Sequence, residues 1–205
     1  MRNATAGVIV SVMVLSGTAT GVQAQTVFVG AGWTGGWDDE TNLGKGLLVS
    51  GGVAQPLGRH LSVEGEVSWG RHLRDSGYLA ADGTPLIGTA RLAYVFQGPG
   101  SRARAFASAG LGVVHSTGHF TTRTILRGPG GLPVDGPSIR SDWSLTKPAF
   151  ELGAGVSIQS GDRLSFRPEA RWTSTVHDAP GSRSTLDPPL WILRAGVTVE
   201  WRVRR

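Results

Sequence analysis

Residues 191–203 read WILRAGVTVEWRV, and this stretch decides the fold. Every odd position from Trp191 to Val203 is apolar, whereas the even positions from Arg194 to Arg202 carry charged or small residues. A period of two residues is that of a β-strand with one apolar and one polar face. A strand of about ten residues or slightly more is long enough to cross a bilayer when it is tilted.

Seven earlier segments of the chain repeat this alternation. In one of them, Val63, Val67 and Trp69 alternate with Glu64 and Glu66. No segment shows a helical period of comparable strength. The chain therefore predicts an all-β fold, an eight-stranded antiparallel up-and-down transmembrane β-barrel. The seven segments are residues 27–37, 43–57, 61–69, 86–96, 104–113, 150–159 and 164–172.

The composition is unusual for a protein whose surface faces water. Charged residues make up 17% of the chain, against roughly 25% in an average protein. The 31 glycines are about twice the ordinary share of roughly 7%, with no collagen-like period. The absence of cysteine excludes a disulfide framework and a thiolate metal site. We therefore expect lipid, rather than water, to face much of the surface.

Residues 1–24 have the pattern of a cleavable signal peptide. Arg2 provides a short basic region, residues 6–15 are apolar, and Val22-Gln23-Ala24 is a small-x-small cleavage site. The mature barrel domain is then residues 25–205. Export makes nucleic acid an unsuitable partner for this basic chain, and the phosphate groups of lipid headgroups are a better candidate.

The connections between segments alternate in length. Three are short and contain Gly or Pro, and the others, most of them long, alternate with these. In outer-membrane barrels the short turns face the periplasm and the long loops face the exterior. The longest exterior loop is predicted at residues 117–147, where Arg123, Arg127, Arg140 and Lys147 are candidates for contact with lipopolysaccharide phosphates.

The polar face of the segments predicts a charged barrel interior, in which Gly, Ser and Thr make room for a few large side chains. Near balance of charge favours salt bridges that fill the lumen. Turn geometry predicts that Glu151 lies opposite Arg171, and that Glu64 or Glu66 lies near Arg91. The predicted lumen residues are Glu64, Glu66, Arg91, Arg104, Glu151, Arg167, Glu169, Arg171, Arg194, Glu200 and Arg202.

Aromatic residues on the apolar face fall near the two ends of the segments. Rings at these positions are expected at the two interfaces of a membrane. The predicted exterior belt is Trp33, Trp37, Trp69, Phe150, Trp172 and Trp191, and the periplasmic belt is Tyr94, Phe96, Phe166 and Trp201.

This pattern of segments, turns and loops resembles the small outer-membrane β-barrels of the OmpA and OmpX type, which are porin-like proteins of Gram-negative bacteria. The resemblance implies location in the cell outer membrane. The last segment is similar to the C-terminal assembly signal of such barrels, with Val197, Val199, Trp201 and Val203 in alternation. That signal implies recognition by the barrel-assembly machinery during insertion. The family signal usually ends on an aromatic residue, where this chain has Val203.

Four functions remain open at this point. The first is a structural and surface-interaction barrel whose exterior loops contact lipopolysaccharide or an external partner. The second is a low-conductance pore, because barrels of the resembling family are proposed to carry a gated ion path. The third is a lipid A-modifying enzyme, and the fourth is a soluble lipocalin-like barrel with its apolar face around a ligand.

The histidines give no strong catalytic or metal motif. His72, His115, His119 and His177 lie near the predicted exterior. A nucleophilic serine such as Ser116 needs a histidine in hydrogen-bond reach and a carboxylate to orient it, and the His-x-Ser spacing associated with lipid A deacylases is absent. His115 and His119 lack a clear third metal ligand. We therefore predict no catalytic residues, no metal site and no cofactor.

Overall fold

The chain folds into a closed barrel of eight antiparallel strands, which confirms the predicted fold class. This computed structural model describes residues 25–37, 42–75, 79–96, 101–127, 133–176 and 191–203, and the predicted signal peptide lies outside them. Each strand pairs with the next, and β1 closes the barrel by pairing with β8. The strands are β1 (Gln25–Trp37), β2 (Asn42–Pro56), β3 (Leu61–Asp75), β4 (Leu79–Val95), β5 (Ala103–Arg127), β6 (Pro133–Gln159), β7 (Leu164–Thr175) and β8 (Trp191–Val203).

Short turns lie at the end of the barrel where β1 begins and β8 ends. The β2–β3 turn is closed by Leu57 N–H donating to the carbonyl of Leu61 at 2.8 Å, and the β6–β7 turn by Ser160 N–H donating to that of Leu164 at 2.9 Å. Gly161 in the second turn has φ +132°, a conformation that favours glycine. Short turns face the periplasm in outer-membrane barrels, so we call this the periplasmic end and the opposite one the exterior end.

The segment predicted as the longest exterior loop is instead a β-hairpin, and the prediction of a loop at residues 117–147 was wrong. β5 and β6 stay paired from Thr117↔Ser144 to Arg127↔Pro133. We call residues 117–127 and 133–144 the β5–β6 arm. Thr and Ile residues favour strands, but both faces of the arm are largely polar, so the sequence shows no apolar–polar alternation there.

The outward face of the barrel carries a band of exposed apolar side chains. Leu111 is 73% exposed and Leu47 66% exposed. On β3 the band extends over about nine residues, from Leu61 to Trp69, which fits the roughly 9–11 residues of a tilted membrane-spanning strand. Beyond this band the outward positions become mostly polar, beginning with Arg71 on β3 and His115 on β5, and the exposed Leu73 is an exception.

Such a surface requires lipid. A soluble monomer rarely exposes an apolar patch larger than a few hundred Å². Charged side chains such as Glu64 and Arg91 are buried inside, whereas Leu47 and Leu111 point outward. This arrangement is the reverse of the one expected for a soluble lipocalin-like barrel. Within the described residues, no helix is long and apolar enough to cross a membrane.

Most of the predicted belt aromatics lie on the outward face. Phe150 and Trp172 pack edge to face with ring centroids 5.1 Å apart, and Tyr94 and Phe96 do so at 5.4 Å. The side chain of Trp37 lies outside the described residues. The assignment of these rings to two membrane interfaces stays a prediction. The exposed aromatics of this set are Trp33, Trp69, Tyr94, Phe96, Phe150, Phe166 and Trp201, and Trp172 and Trp191 are half-buried.

Candidate functional site in the barrel lumen

A network of salt bridges fills the middle of the lumen. Its members project inward from five strands, because each occupies an inward position of the two-residue alternation. We call the set the lumen network: Glu64 and Glu66 on β3, Arg91 on β4, Glu151 on β6, Arg167, Glu169 and Arg171 on β7, and Arg194 and Glu200 on β8.

Glu64 joins the network to the strands on either side of the lumen. Its Oε2 accepts from Arg91 Nε at 2.6 Å, and its Oε1 accepts from Arg167 Nη1 at 2.8 Å. Glu64 is only 2% exposed. Glu64 on β3 and Arg91 on β4 lie directly opposite each other in the sheet. Arg91 therefore lies close to Glu64, as the sequence predicted for Glu64 or Glu66.

Glu66 and Glu151 each contact the same three guanidinium groups. Glu66 lies 2.5 Å from Arg171 Nη1, 3.0 Å from Arg91 Nη1 and 3.3 Å from Arg194 Nη1. Glu151 lies 3.3 Å from Arg91 Nη1 and 3.7 Å from Arg171 Nη1, and it accepts a short contact from Arg194 Nη2. Two carboxylates shared among three arginines form a cluster in which each charge has several partners.

Glu169 and Glu200 complete the network toward the periplasmic end. Arg171 Nη2 donates to Glu169, and Arg167 Nη1 lies 2.5 Å from Glu200 Oε1. Thr198 Oγ1 also donates to Glu169 at 2.8 Å. A buried ion is costly unless its charge and its hydrogen-bonding atoms are satisfied. The shared contacts offset part of that cost, while some N–H groups of Arg91, Arg167 and Arg194 have no hydrogen-bond acceptor among the described residues.

The register of β6 and β7 differs from the predicted one by two residues. Glu151 is opposite Thr173, and Arg171 is opposite Gly153, so the predicted cross-strand pair of Glu151 and Arg171 was wrong. In the structure Gln159 lies opposite Ser165, whereas the prediction placed Gln159 opposite Arg163. The long Arg171 side chain still reaches Glu151 diagonally, at 3.7 Å.

Glycine provides the space that the large lumen side chains need. A Cβ on Gly110 would lie 2.6 Å from the Cβ of Arg91, and a Cβ on Gly52 would lie 2.4 Å from the ring of Phe28. The Arg91 guanidinium lies over that ring, with its Cζ 5.7 Å from the ring centroid. Small residues on one strand thus face large residues on the next.

A second layer, largely apolar, fills the lumen on the exterior side of the network together with buried polar side chains such as Lys147 and Thr173, and the sequence did not predict it. We call it the apolar layer: Leu48, Ile87, Val114, Ala149 and Ile192, with Leu145 packed against it. These residues occupy inward positions on five strands. On each strand they lie nearer the exterior end than the charged residues of the lumen network on that strand or on its neighbour. Ile87, Val114 and Ile192 are almost completely buried.

Arg104 and Arg202, the other predicted lumen residues, lie nearer the periplasmic mouth. Both line a cavity that opens at that end. The Nε of Arg104 donates to the carbonyl of Ser101 at 3.3 Å. Neither arginine takes part in an ion pair among the described residues. The structure therefore separates these two arginines from the buried network.

A polar groove lies on the outward face just beyond the apolar band at the exterior end. Arg71 Nη2 lies 2.6 Å from Asp82 Oδ2, and Arg140 Nε lies 3.2 Å from Asp142 Oδ1. His119 lines the same groove. We call these five residues, together with Thr84 and Thr117, the exterior groove.

The structure places the candidate loop residues differently from one another. Lys147 is buried in the lumen, so its predicted role in contact with lipopolysaccharide was wrong, whereas Arg140 is exposed. The side chains of Arg123 and Arg127 lie outside the described residues, as does His177.

His115 and Ser116 point to opposite faces of β5. Ser116 is buried in the lumen, whereas His115 faces outward and its Nδ1 lies 2.7 Å from Thr146 Oγ1. The two side chains therefore do not form a nucleophile–base pair. His72 is buried in the lumen, with its Nε2 3.0 Å from Thr34 Oγ1. Among the described residues, no three His, Asp or Glu side chains are grouped as metal ligands.

The barrel, its apolar outer band and its charged lumen define the class of small outer-membrane β-barrels. Neither a protein-family model nor a curated protein sequence matches the chain. Solved structures of this class do match. The Neisserial surface protein A has a TM-score of 0.63 at 12% identity, covering 87% of this chain and 96% of that one.

Two further structures show the same fold. A major outer membrane protein from Thermus thermophilus has a TM-score of 0.57 at 14% identity, covering 86% of this chain and 99% of its own. The attachment invasion locus protein of Yersinia pestis has a TM-score of 0.51 at 13% identity, covering 87% and 98%. These likenesses show the fold, that of small outer-membrane β-barrels, and the exposed apolar band indicates that the barrel lies in a membrane.

Proposed function

We propose that this protein is a closed structural and surface-interaction barrel of the outer membrane, which binds lipopolysaccharide at its exterior groove and holds the β5–β6 arm above the membrane. The observation that carries the proposal is the double closure of the lumen. A barrel sealed in this way acts through its surfaces rather than through a channel.

Two physical barriers oppose ion passage. The lumen network occupies the middle of an interior that, with eight strands, is only wide enough for side chains. The apolar layer next to it contains residues such as Ile87 and Ile192, and an apolar constriction excludes water and hydrated ions. An ion would have to displace both layers, so we expect no steady conductance.

Planar-bilayer recording of the purified barrel tests this closure. We expect no steady current from the wild type, with a reconstituted porin as positive control for the recording. Arg171→Ala also stays closed, because the apolar layer is intact in that variant. A steady low conductance of the wild type would contradict the proposal and favour the low-conductance pore instead.

The exterior groove supports a contact with lipopolysaccharide. Arg71 and Arg140 line one groove on the outward face beyond the band that faces lipid, where we expect the phosphate groups of lipid A. Arginine forms bidentate, charge-assisted hydrogen bonds with phosphate. Asp82 and Asp142 each pair with one of the two guanidinium groups, and a bound phosphate would share those groups with the carboxylates.

Thermal unfolding in vesicles of defined composition tests this contact. The loss of the folded band on unboiled gels gives the unfolding temperature of the barrel. We expect lipopolysaccharide to raise it relative to phosphatidylcholine. The variant Arg71→Gln/Arg140→Gln should lose most of that increase, as should the wild type in vesicles whose lipid A is dephosphorylated.

A matched control removes two arginines from the other end of the barrel. Arg102→Gln/Arg163→Gln has the same change in net charge, and both residues are exposed near the periplasmic turns. This control should keep the stabilisation by lipopolysaccharide. An equal loss in both double variants would show a general effect of charge and would refute a specific site at the exterior groove.

The last strand supports recognition by the barrel-assembly machinery. Val197, Trp201 and Val203 are exposed on the outward face of β8, where another protein can contact them before lipid does. Trp201→Ala should slow insertion into the outer membrane in cells while the purified variant still folds into detergent. Normal insertion of this variant in cells would refute the role of β8 as the signal.

A further inference from the structure

The cavity at the periplasmic mouth has a distinctive set of charges. It has a volume of about 210 Å³ and opens among the short turns. Glu64 and Arg167 of the lumen network line its inner end. The cavity is therefore a blind pocket that faces the periplasm, and the salt bridges are its floor.

Basic groups predominate in this pocket. Arg59, His60, Arg104 and Arg202 line it, and among the described residues no ion pair involves any of these four. The acidic groups in the wall, Glu64 and Glu200, are both already paired with Arg167. A concave site with excess charge of one sign concentrates its field and attracts ions of the opposite sign.

Arg167 supplies a second, independent observation. It is 4% exposed, and its Nη1 serves both Glu64 and Glu200. Its Nε and Nη2 have no hydrogen-bond acceptor, and the nearest carboxylate oxygen of Glu169 is 3.7 Å from Nη2. Its guanidinium stacks on Phe106, another residue of the pocket, with Cζ 4.1 Å from the ring centroid. Buried donors usually have partners.

We propose that this pocket binds a small phosphate-type oxyanion from the periplasm. Arg104 on β5, Arg167 on β7 and Arg202 on β8 approach it from different strands, which suits a group with three or four oxygens. Arginine is well matched to such groups because its N–H donors form a fixed fork. The volume is below the roughly 300–1,000 Å³ of pockets for drug-sized ligands, so the ligand is an ion or a very small molecule.

Calorimetric titration of the purified barrel with inorganic phosphate, at low and constant ionic strength, tests the proposal. We expect saturable binding by the wild type. Binding by Arg104→Gln/Arg202→Gln should be weaker by about tenfold or more. Both arginines lie at the rim rather than in the lumen network, and the shift in gel mobility on boiling checks that the variant is folded. Sodium chloride at the same ionic strength should give no saturable signal.

The control is again Arg102→Gln/Arg163→Gln. It removes two charges from the same end of the barrel, and neither Arg102 nor Arg163 lines the pocket. It should bind phosphate as the wild type does. Equal weakening in both double variants, or no saturable binding by the wild type, would overturn the proposal. Acetate binding as tightly as phosphate would overturn the assignment to a phosphate-type ligand.

A spectroscopic measurement gives a readout that does not depend on any variant. In arginine-labelled wild-type protein, the Nε–H resonance of Arg167 should shift on addition of phosphate and saturate at the concentration found by calorimetry. An unshifted resonance at saturating phosphate would refute the pocket as the binding site. Neither outcome of the phosphate-binding experiments bears on closure of the lumen, which the conductance recording tests separately.

Discussion

Arg171 on β7 and Arg194 on β8 are direct cross-strand partners inside the barrel. Like charges in directly opposite positions normally destabilise a sheet. Here both guanidinium groups contact the same two carboxylates, those of Glu66 and Glu151. The two glutamates thus turn a repulsive pair into a link between β3, β6, β7 and β8.

Replacement of Glu66 should destabilise the barrel strongly. Glu66→Gln leaves three guanidinium groups short of one negative charge, and removal of one partner from a buried ion pair costs roughly 3–5 kcal/mol. Urea unfolding in phospholipid vesicles, followed by tryptophan fluorescence, measures the change in the free energy of unfolding. We expect a loss of that size.

Asp142→Asn is the matched control for Glu66→Gln. Asp142 is also a carboxylate paired with an arginine, but the side chains of the pair are 63% and 77% exposed. Exposed pairs contribute about 0–1 kcal/mol, so the free energy of unfolding should hardly change. If both substitutions had the same small effect, the lumen network would not stabilise the barrel.

Two neighbouring glycines should respond oppositely to alanine. A Cβ on Gly110 meets Arg91, whereas a Cβ on Gly88 has nothing within 4 Å. Gly110→Ala should cost about 1–3 kcal/mol through overpacking. Gly88→Ala should be neutral or slightly stabilising, because alanine restricts the unfolded chain. The same urea titration measures both, and equal effects would show that the lumen has room beside Arg91.

The apolar layer should be more sensitive than the lipid-facing surface. Ile87→Ala removes a side chain from a packed interior and should cost about 2–5 kcal/mol, which includes the cavity it leaves. Leu111→Ala removes a side chain that is 73% exposed, and lipid can fill the space. Its cost in the free energy of unfolding should be smaller. A larger cost for Leu111→Ala would argue against a packed apolar layer.

Asp82 should titrate at lower pH than an ordinary aspartate. It lies outside the membrane-spanning part of β4, and the hydrogen bond from Arg71 lowers the pKa of its carboxyl. A lowered pKa contributes stability above the pKa of the unfolded chain, and that stability is lost as the pH falls through the folded pKa. NMR titration of the Asp82 carboxyl checks the pKa, and Arg71→Gln should return it toward the ordinary value.

The sequence predicted the strands well because the membrane imposes the two-residue period on both faces at once. Lipid requires apolar side chains outside, and a narrow lumen requires polar or small ones inside, so Arg91 and Glu151 were assigned to the interior from parity alone. Assignment from the two-residue alternation failed where the strands leave the membrane. In the β5–β6 arm both faces meet water, the alternation disappears, and the strands around Thr121 were mistaken for a loop.

The sequence did not predict the apolar layer, for a related reason. Ile87 stands between Leu86 and Gly88, so its stretch is apolar on both faces and gives no contrast between positions. Its partners Val114 and Ile192 come from other strands, and only the closed barrel brings them together. The register of β6 and β7 was wrong because it depended on the geometry of one turn, and a single step there moves every pair by two residues.

The lumen network also has a consequence for the order of events during insertion. Arg194 contacts Glu66 and Ser68, which lie 128 and 126 positions earlier in the chain. Contacts between such distant positions form late, because long loops must close first. Until β8 arrives, Glu66 and Glu151 each lack one of their three guanidinium groups. A chain that lacks β8 therefore leaves these two buried carboxylates with incomplete pairing and leaves the barrel open between β7 and β1, so arrival of the last strand, closure of the barrel and stable residence in the membrane become a single cooperative event.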